Sequence, residues 1–137
     1  VLDVSNPSNE LSVFLMPEQR TAATGESSEI TITAPEGFSF AVQPPDTCEI
    51  QDLDPVYYEQ TEGWLPMPLP EVDRCVTSKV PATSSKMNRA QITILNSLIP
   101  GTHYRFKILI QNAATYPATG PTTWTIETNG PLGNVID

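Results

Sequence analysis

Residues 98–111, LIPGTHYRFKILIQ, carry the clearest structural signal in this chain. From residue 104 onward, large apolar side chains occupy every second position: Tyr104, Phe106, Ile108 and Ile110. Polar side chains lie between or beside them: His103, Arg105, Lys107 and Gln111. A period of two over this length predicts a β-strand with one face in a core. The Pro100-Gly101 pair ahead of it indicates a turn, because proline presets φ and glycine accepts positive φ.

This turn and strand resemble the E–F corner of fibronectin type III and related immunoglobulin-like domains. The resemblance lies in the pattern Leu-x-Pro-Gly-Thr-x-Tyr at residues 98–104, which runs into the alternating strand. In those domains a tyrosine hydroxyl hydrogen-bonds to backbone upstream, an arrangement called the tyrosine corner. The resemblance implies that Leu98, Pro100, Gly101 and Tyr104 form a structural corner in an immunoglobulin-like β-sandwich.

Length and composition favour a single all-β domain. The 137 residues are enough for one domain with a proper core and too few for two ordinary ones. The 14 prolines argue against long helices, since each interior proline costs about 3 kcal/mol. Turn signals separate about seven or eight short alternating segments, the pattern of an antiparallel β-sandwich. In the last of these, residues 122–128, we expect Trp124 and Ile126 to face the core.

A second resemblance comes from residues 29–48. A strand at 29–34 is followed by an Ala-Pro-x-Gly turn, by Phe38 and Phe40 in a predicted strand at 38–42, and then by Cys48. Together with the corner, this order resembles repeated domains of very large extracellular proteins of protists, alveolates in particular. One departure is Ala113 after Asn112, where a proline is expected. The resemblance implies that neighbouring copies or domains of the same polypeptide are the partners.

The domain boundaries follow from turn and composition signals. We expect residues 1–9 to be a linker or edge strand, residues 10–128 to form the sandwich, and residues 129–137 to link to a following domain. Residues 44–73 are predicted to be a proline-rich acidic insertion, because they contain eight acidic and no basic residues. The chain opens on Val1, so we expect it to be a processed or excised piece of a longer protein.

The two cysteines, Cys48 and Cys75, flank most of this insertion. An even count in a proline- and threonine-rich β domain favours a disulfide and an oxidising compartment. Two buried thiols in a cytosolic domain are the alternative. We expect a bridge that ties the ends of the insertion to the sandwich, and an extracellular or cell-surface location.

Net charge excludes several partner classes. Sixteen acidic and seven basic residues give a formal charge of −9, which repels phosphate backbones and anionic lipid surfaces. No apolar run approaches the length of a transmembrane helix, about 18 residues. We therefore expect no nucleic-acid partner and no membrane insertion.

The sequence contains few residues or motifs that could carry out catalysis. His103 is the only histidine, and no Gly-x-Ser-x-Gly elbow, glycine-rich phosphate loop or His-x-x-x-His pair accompanies it. For calcium, the weak candidates are Asp46, Asp52 and Asp54, which lack the glycine and distal glutamate of an EF-hand loop. A solvated acidic loop explains them better. We expect no enzymatic activity, no metal and no cofactor.

Exposed aromatic and apolar residues are the remaining candidates for contacts. Trp64, with Tyr57 and Tyr58, lies in the insertion and is a candidate for stacking on a glycan or a partner, although Trp64 covering an edge of the sandwich is favoured. Apolar residues near both termini are candidates for contacts with adjacent domains: Val1, Leu2, Val4, Leu132, Val135 and Ile136.

These observations favour a non-catalytic structural module of a large multi-domain extracellular or cell-surface protein, which spaces or assembles a filament or array. A glycan- or calcium-binding adhesion module and an accessory domain of a secreted enzyme are the competing hypotheses. Fold alone cannot separate these roles, because the same sandwich supports all three.

Overall fold

The structure is a computed structural model that describes residues 9–21, 26–42, 47–51, 67–114 and 123–130. The strands in these residues are β1 (Asn9–Leu15), β2 (Ser28–Thr33), β3 (Ile50–Gln51), β4 (Met67–Pro68), β5 (Val72–Ser78), β6 (Arg89–Ile94), β7 (Tyr104–Ile110) and β8 (Thr125–Asn129). The described residues contain no helix, so the all-β prediction is confirmed for them. Nor does this part of the chain contain any helix that could cross a membrane.

The strands form two sheets. One has the order β1-β7-β3, with the short β4 also paired to β7, and the other has the order β5-β6-β2-β8. Every pairing is antiparallel except that of β4 with β7. Two antiparallel sheets around a shared core agree with the predicted sandwich.

The alternating segment that was predicted as a strand is β7, the central strand of the first sheet. Its inward side chains Tyr104, Phe106, Ile108 and Ile110 are 0–3% exposed. The apolar face of β1 lies beside them, with Val13 opposite Phe106. Arg105 departs from the pattern because it is buried although it lies on the opposite face. The alternation therefore assigns the core face correctly but not the exposure of the outer face.

The second sheet supplies the other half of the core. Its fully buried residues are Ile30, Ile32, Ala90, Ile92 and Ile94. Ile30 pairs with Ile92 across β2 and β6, and such cross-strand β-branched pairs pack closely on a pleated surface. Apolar residues at every second position of β2 and β6 thus form one continuous inner face.

The strand predicted at residues 38–42 is wrong, although Phe40 from this segment is fully buried. Only Ser39 forms an isolated bridge, with Gln111 at the end of β7. The next amide, of Phe40, donates to the carbonyl of Met87, just before β6, at 2.8 Å. Because successive residues bond to different sheets, this segment crosses between the sheets and cannot extend either ladder.

The prediction that Trp124 and Ile126 face the core is only half right. Ile126 lies opposite Ile32, so it points to the inner side of the sheet. Trp124 contacts Phe38 edge to face, with ring centroids 5.1 Å apart. Both side chains are nevertheless more than 40% exposed. Ile126 lies on the edge strand β8 and Trp124 directly precedes it, and this edge leaves both side chains partly uncovered.

The corner contains the hydrogen bond that defines a tyrosine corner. The amide of Ile99 donates to the hydroxyl of Tyr104 at 2.9 Å. Gly101 has φ +73°, a left-handed conformation that favours glycine, and its amide donates to the carbonyl of Pro17. Leu98 is fully buried beneath the turn. The turn is therefore fixed to the sandwich at several points.

Replacement of Tyr104 by phenylalanine is expected to lower the free energy of unfolding by about 1–3 kcal/mol. The substitution leaves the ring in place and removes only the acceptor of the Ile99 amide. Urea unfolding measures the difference, with Ser85→Ala as a control that removes an exposed hydroxyl. A loss below about 0.5 kcal/mol, the usual range for surface substitutions, would mean that this bond does not hold the corner.

The register places the start of the first strand and the end of the last strand at opposite ends of the sandwich. Asn9, at the start of β1, lies beside Ile110, at the end of β7. We call this end the entry pole. Asn129, at the end of β8, lies beside Glu29 at the start of β2, which in turn adjoins the end of β6. We call that end the exit pole.

At the exit pole, the described residues that follow β1 and the first residue of β2 are bonded to residues 96–98. The amide of Leu98 donates to the hydroxyl of Thr21 at 2.9 Å. Ser28, at the start of β2, donates through its hydroxyl to the carbonyl of Asn96 at 2.7 Å. Arg20 donates to the hydroxyl of Ser97 at 3.1 Å. These bonds join the ends of both sheets into one surface.

Asn88, just before β6, is fully buried and uses its carboxamide as a peptide-like group. Its Oδ1 accepts from the amide of Val80 at 2.8 Å, and its Nδ2 donates to the carbonyl of Val80 at 2.8 Å. The same Nδ2 donates to the carbonyl of Ala34 at 3.0 Å. One side chain thus joins the end of β2, the end of the β5 region and the start of β6.

Candidate functional site

The described residues include a disulfide between Cys48 and Cys75, with Cα atoms 5.2 Å apart. Cys75 lies on β5 and is buried with the core, whereas Cys48 lies just before β3 of the other sheet. The amide of Cys48 also donates to the carbonyl of Cys75 at 3.3 Å, and Thr47 bridges to Val76. The predicted disulfide is therefore present, and it links the open edges of the two sheets.

A groove of about 670 Å³ lies beside the disulfide. Its lining residues include the apolar Leu69 and Val72 and the acidic Glu49 and Glu71. Gln51 also lines the groove and donates to the Glu49 carboxylate at 2.7 Å. No basic side chain is among the described lining residues. The groove can accept hydrogen-bond donors or a cationic group, but it contains no nucleophile placed beside a base.

His103 lies immediately before β7, in the first sheet, and is half-buried. Its carbonyl accepts from the amide of Met67 at 2.7 Å, which begins the pairing of β4. Within the residues that the structure describes, no three His, Cys, Asp or Glu side chains are close enough to hold a metal ion. The interpretation of the chain as non-catalytic stays a prediction.

Several predicted contact residues lie outside the described residues. These are the aromatic candidates Tyr57, Tyr58 and Trp64, the weak calcium candidates Asp46, Asp52 and Asp54, and the terminal residues Val1, Leu2, Val4, Leu132, Val135 and Ile136. Their roles remain predictions.

A second pocket, of about 530 Å³, lies at the exit pole next to the corner. Arg20, Met67 and Ile99 line it, and Tyr104 lies among its lining residues. Met67 and Ile99 are at least half exposed. Sequence patterns did not indicate this surface, because its residues come from three segments that are far apart in the chain.

No family model, curated protein or solved structure matches this chain.

Proposed function

We propose that the chain is a non-catalytic structural module of a large multi-domain extracellular or cell-surface protein, where it spaces or assembles a filament or array. The observation that carries this proposal is the placement of Asn9 and Asn129 at opposite poles, which follows from the register of β1 and β8. Copies joined through their ends would lie one after another along the strand direction. The longest described strands have seven residues, which corresponds to roughly 23 Å, and the connections at both poles add to this.

The disulfide supports the proposed extracellular or cell-surface location. Cross-links of this kind persist in oxidising compartments and are rare in the cytosol, where thiols are kept reduced. Here the Cys48–Cys75 bridge joins the edge strand β5 of one sheet to the segment before β3, at the edge of the other. A secreted or surface-exposed module gains stability from such a link without a larger core.

For the finer fold class, we propose an immunoglobulin-like or fibronectin-III-like sandwich with its first and last strands exchanged. In immunoglobulin domains the order is ABED in one sheet and CFG in the other. Assigning β7 to strand F, as its corner supports, makes β5-β6-β2 equivalent to D-E-B. The last strand, β8, then takes the place of A, and the first strand, β1, takes the place of G.

The groove beside the disulfide favours a second candidate function, that of a glycan-binding adhesion module. Carboxylates such as Glu49 and Glu71 can accept hydrogen bonds from sugar hydroxyls, and the half-buried Leu69 and Val72 offer apolar contact to a ring face. No contact among the described residues favours a calcium-binding role of the acidic insertion or a role beside a secreted catalytic domain. A titration with simple sugars distinguishes the glycan-binding role from the structural one.

Small-angle scattering from two copies joined in tandem tests the structural role. Because Asn9 and Asn129 lie at opposite poles, an elongated and rigid two-copy particle is expected. The control is the same tandem with Val135→Ser and Ile136→Ser, since these residues are predicted to contact the neighbouring domain and their loss should increase the range of inter-domain angles.

A further inference from the structure

Exposed apolar side chains concentrate at the exit pole. Four large ones are 44–55% exposed there: Met16, Met67, Leu95 and Ile99. We call this set the exit-pole patch. Met16 follows the end of β1, Leu95 follows the end of β6, and Met67 pairs with the first residue of β7. Exposed apolar side chains that cluster in this way mark interaction surfaces more often than scattered ones do.

The backbone beneath the exit-pole patch is held in place by hydrogen bonds. The amide of Ile99 is bonded to the Tyr104 hydroxyl, and the amide of Met67 is bonded to the His103 carbonyl. The amide of Leu95 donates to the carbonyl of Glu71 at 2.9 Å. A surface fixed in this way loses little conformational entropy when it is covered, so it is suited to docking.

The two poles differ in charge. Three exposed carboxylates lie in the segments around the exit-pole patch: Glu18, Glu26 and Glu71. Arg20, between Glu18 and Glu26 in the sequence, donates to Ser97. At the entry pole, the connection from β5 to β6 carries two exposed cations, Lys79 and Lys86. An acidic margin at one end and basic residues at the other are complementary between two copies in the same orientation.

The entry pole also offers an apolar group to fill the patch. Trp124 precedes the first residue of β8, which pairs with the last residue of β2, so it lies at the entry pole. Its side chain is 41% exposed. Tryptophan is enriched among the residues that contribute most to the free energy of binding at protein interfaces.

We propose that the exit-pole patch binds the entry pole of a second copy of this chain, head to tail. Met67 and Ile99 then surround Trp124 of the next copy, while Lys79 and Lys86 lie opposite the acidic margin. A contact between unlike surfaces leaves a free patch at one end and a free entry pole at the other, so association continues into a row. The inference rests on the proposed structural role and names the surfaces that make the joint.

The test is the association of the full chain in solution, measured by sedimentation velocity at increasing concentration up to about 1 mM, the range of weak interfaces. Two variants each remove one side of the contact: Met67→Ser/Ile99→Ser at the exit pole and Lys79→Glu/Lys86→Glu at the entry pole. Each variant alone is expected to associate at least tenfold more weakly than the original chain. The matched control is Val76→Ser, an exposed apolar residue on β5, which should change nothing.

Mixing the two variants gives the sharpest result. The lysine variant retains its exit-pole patch and the serine variant retains its entry pole, so an equimolar mixture is expected to form dimers that grow no further. No association of the original chain in this range, or no recovery on mixing, contradicts the proposal. If the chain does not associate but the tandem is a rigid rod, the structural role stands and these surfaces do not make the joint. If the chain associates as proposed but the tandem is flexible, the contact stands and the rigid spacer role fails.

Discussion

Reduction of the Cys48–Cys75 disulfide is expected to lower the free energy of unfolding by about 3–4 kcal/mol. The two cysteines are 27 positions apart. A cross-link that closes a loop of that length lowers the conformational entropy of the unfolded chain, which raises its free energy by roughly this amount. Reduction also removes the cross-link between β5 and the segment before β3. A loss of this size is a large part of the stability of an ordinary domain.

The measurement is a pair of urea unfolding curves, for the oxidised chain and for the same chain in excess reductant. This comparison keeps both cysteine side chains and removes only the cross-link. The Cys48→Ala/Cys75→Ala variant is the control: it should unfold close to the reduced chain and should not respond to reductant. A difference below about 1 kcal/mol between oxidised and reduced chain would contradict the entropic argument.

Truncation of Asn88 to alanine is expected to cost about 2–4 kcal/mol. The change leaves the amide and carbonyl of Val80 and the carbonyl of Ala34 without their partner at a fully buried position. Each buried polar group left unpaired costs about 1–3 kcal/mol, although water entering the vacated space offsets part of this.

Asn96→Ala is the matched control for Asn88, because the same atoms are removed at an exposed position. Thermal and urea unfolding should show a change of less than about 1 kcal/mol for this control, whose side chain bonds only to the adjacent amide of Ser97 among the described contacts. Equal losses for the two variants would mean that the Asn88 bonds contribute no more than an exposed local bond.

Short sequence patterns predicted the parts of the fold that depend only on residues close together in the chain. The alternation in β7 and the Pro100-Gly101 turn depend on neighbouring residues, so both could be read from a short stretch. The pairing of strands depends on residues far apart in sequence. Nothing near Asn9–Leu15 or Thr125–Asn129 indicates that β1 joins the corner strand while β8 joins β2.

The missed details have the same origin. Phe40 was placed in the core correctly, but the segment around it was predicted as a strand because alternation cannot show whether successive amides bond to one sheet or to two. Trp124 was expected in the core because its phase is inward, yet it lies directly before the edge strand β8, where its side chain stays partly uncovered. The burial of Arg105 could likewise not be predicted from alternation, because it depends on what covers the outer face of the sheet.

Of the candidate sites, the disulfide could be predicted because only two cysteines are present. The role of Asn88 could not, since an asparagine in a polar loop gives no sign of being buried. The exit-pole patch could not either, because Met16, Met67, Leu95 and Ile99 come together only after the sheets have formed.

The central claim is that the chain forms a rigid module with Asn9 and Asn129 at opposite poles, so that successive modules lie in a row. The distribution of interatomic distances from small-angle scattering of the two-copy chain tests it most directly. We predict a second maximum at about 35 Å, which arises from distances between the two copies and equals the length of the strands plus the connections. In the Val135→Ser/Ile136→Ser control this maximum should have a smaller height. A single broad distribution, the same in both chains, would contradict the claim.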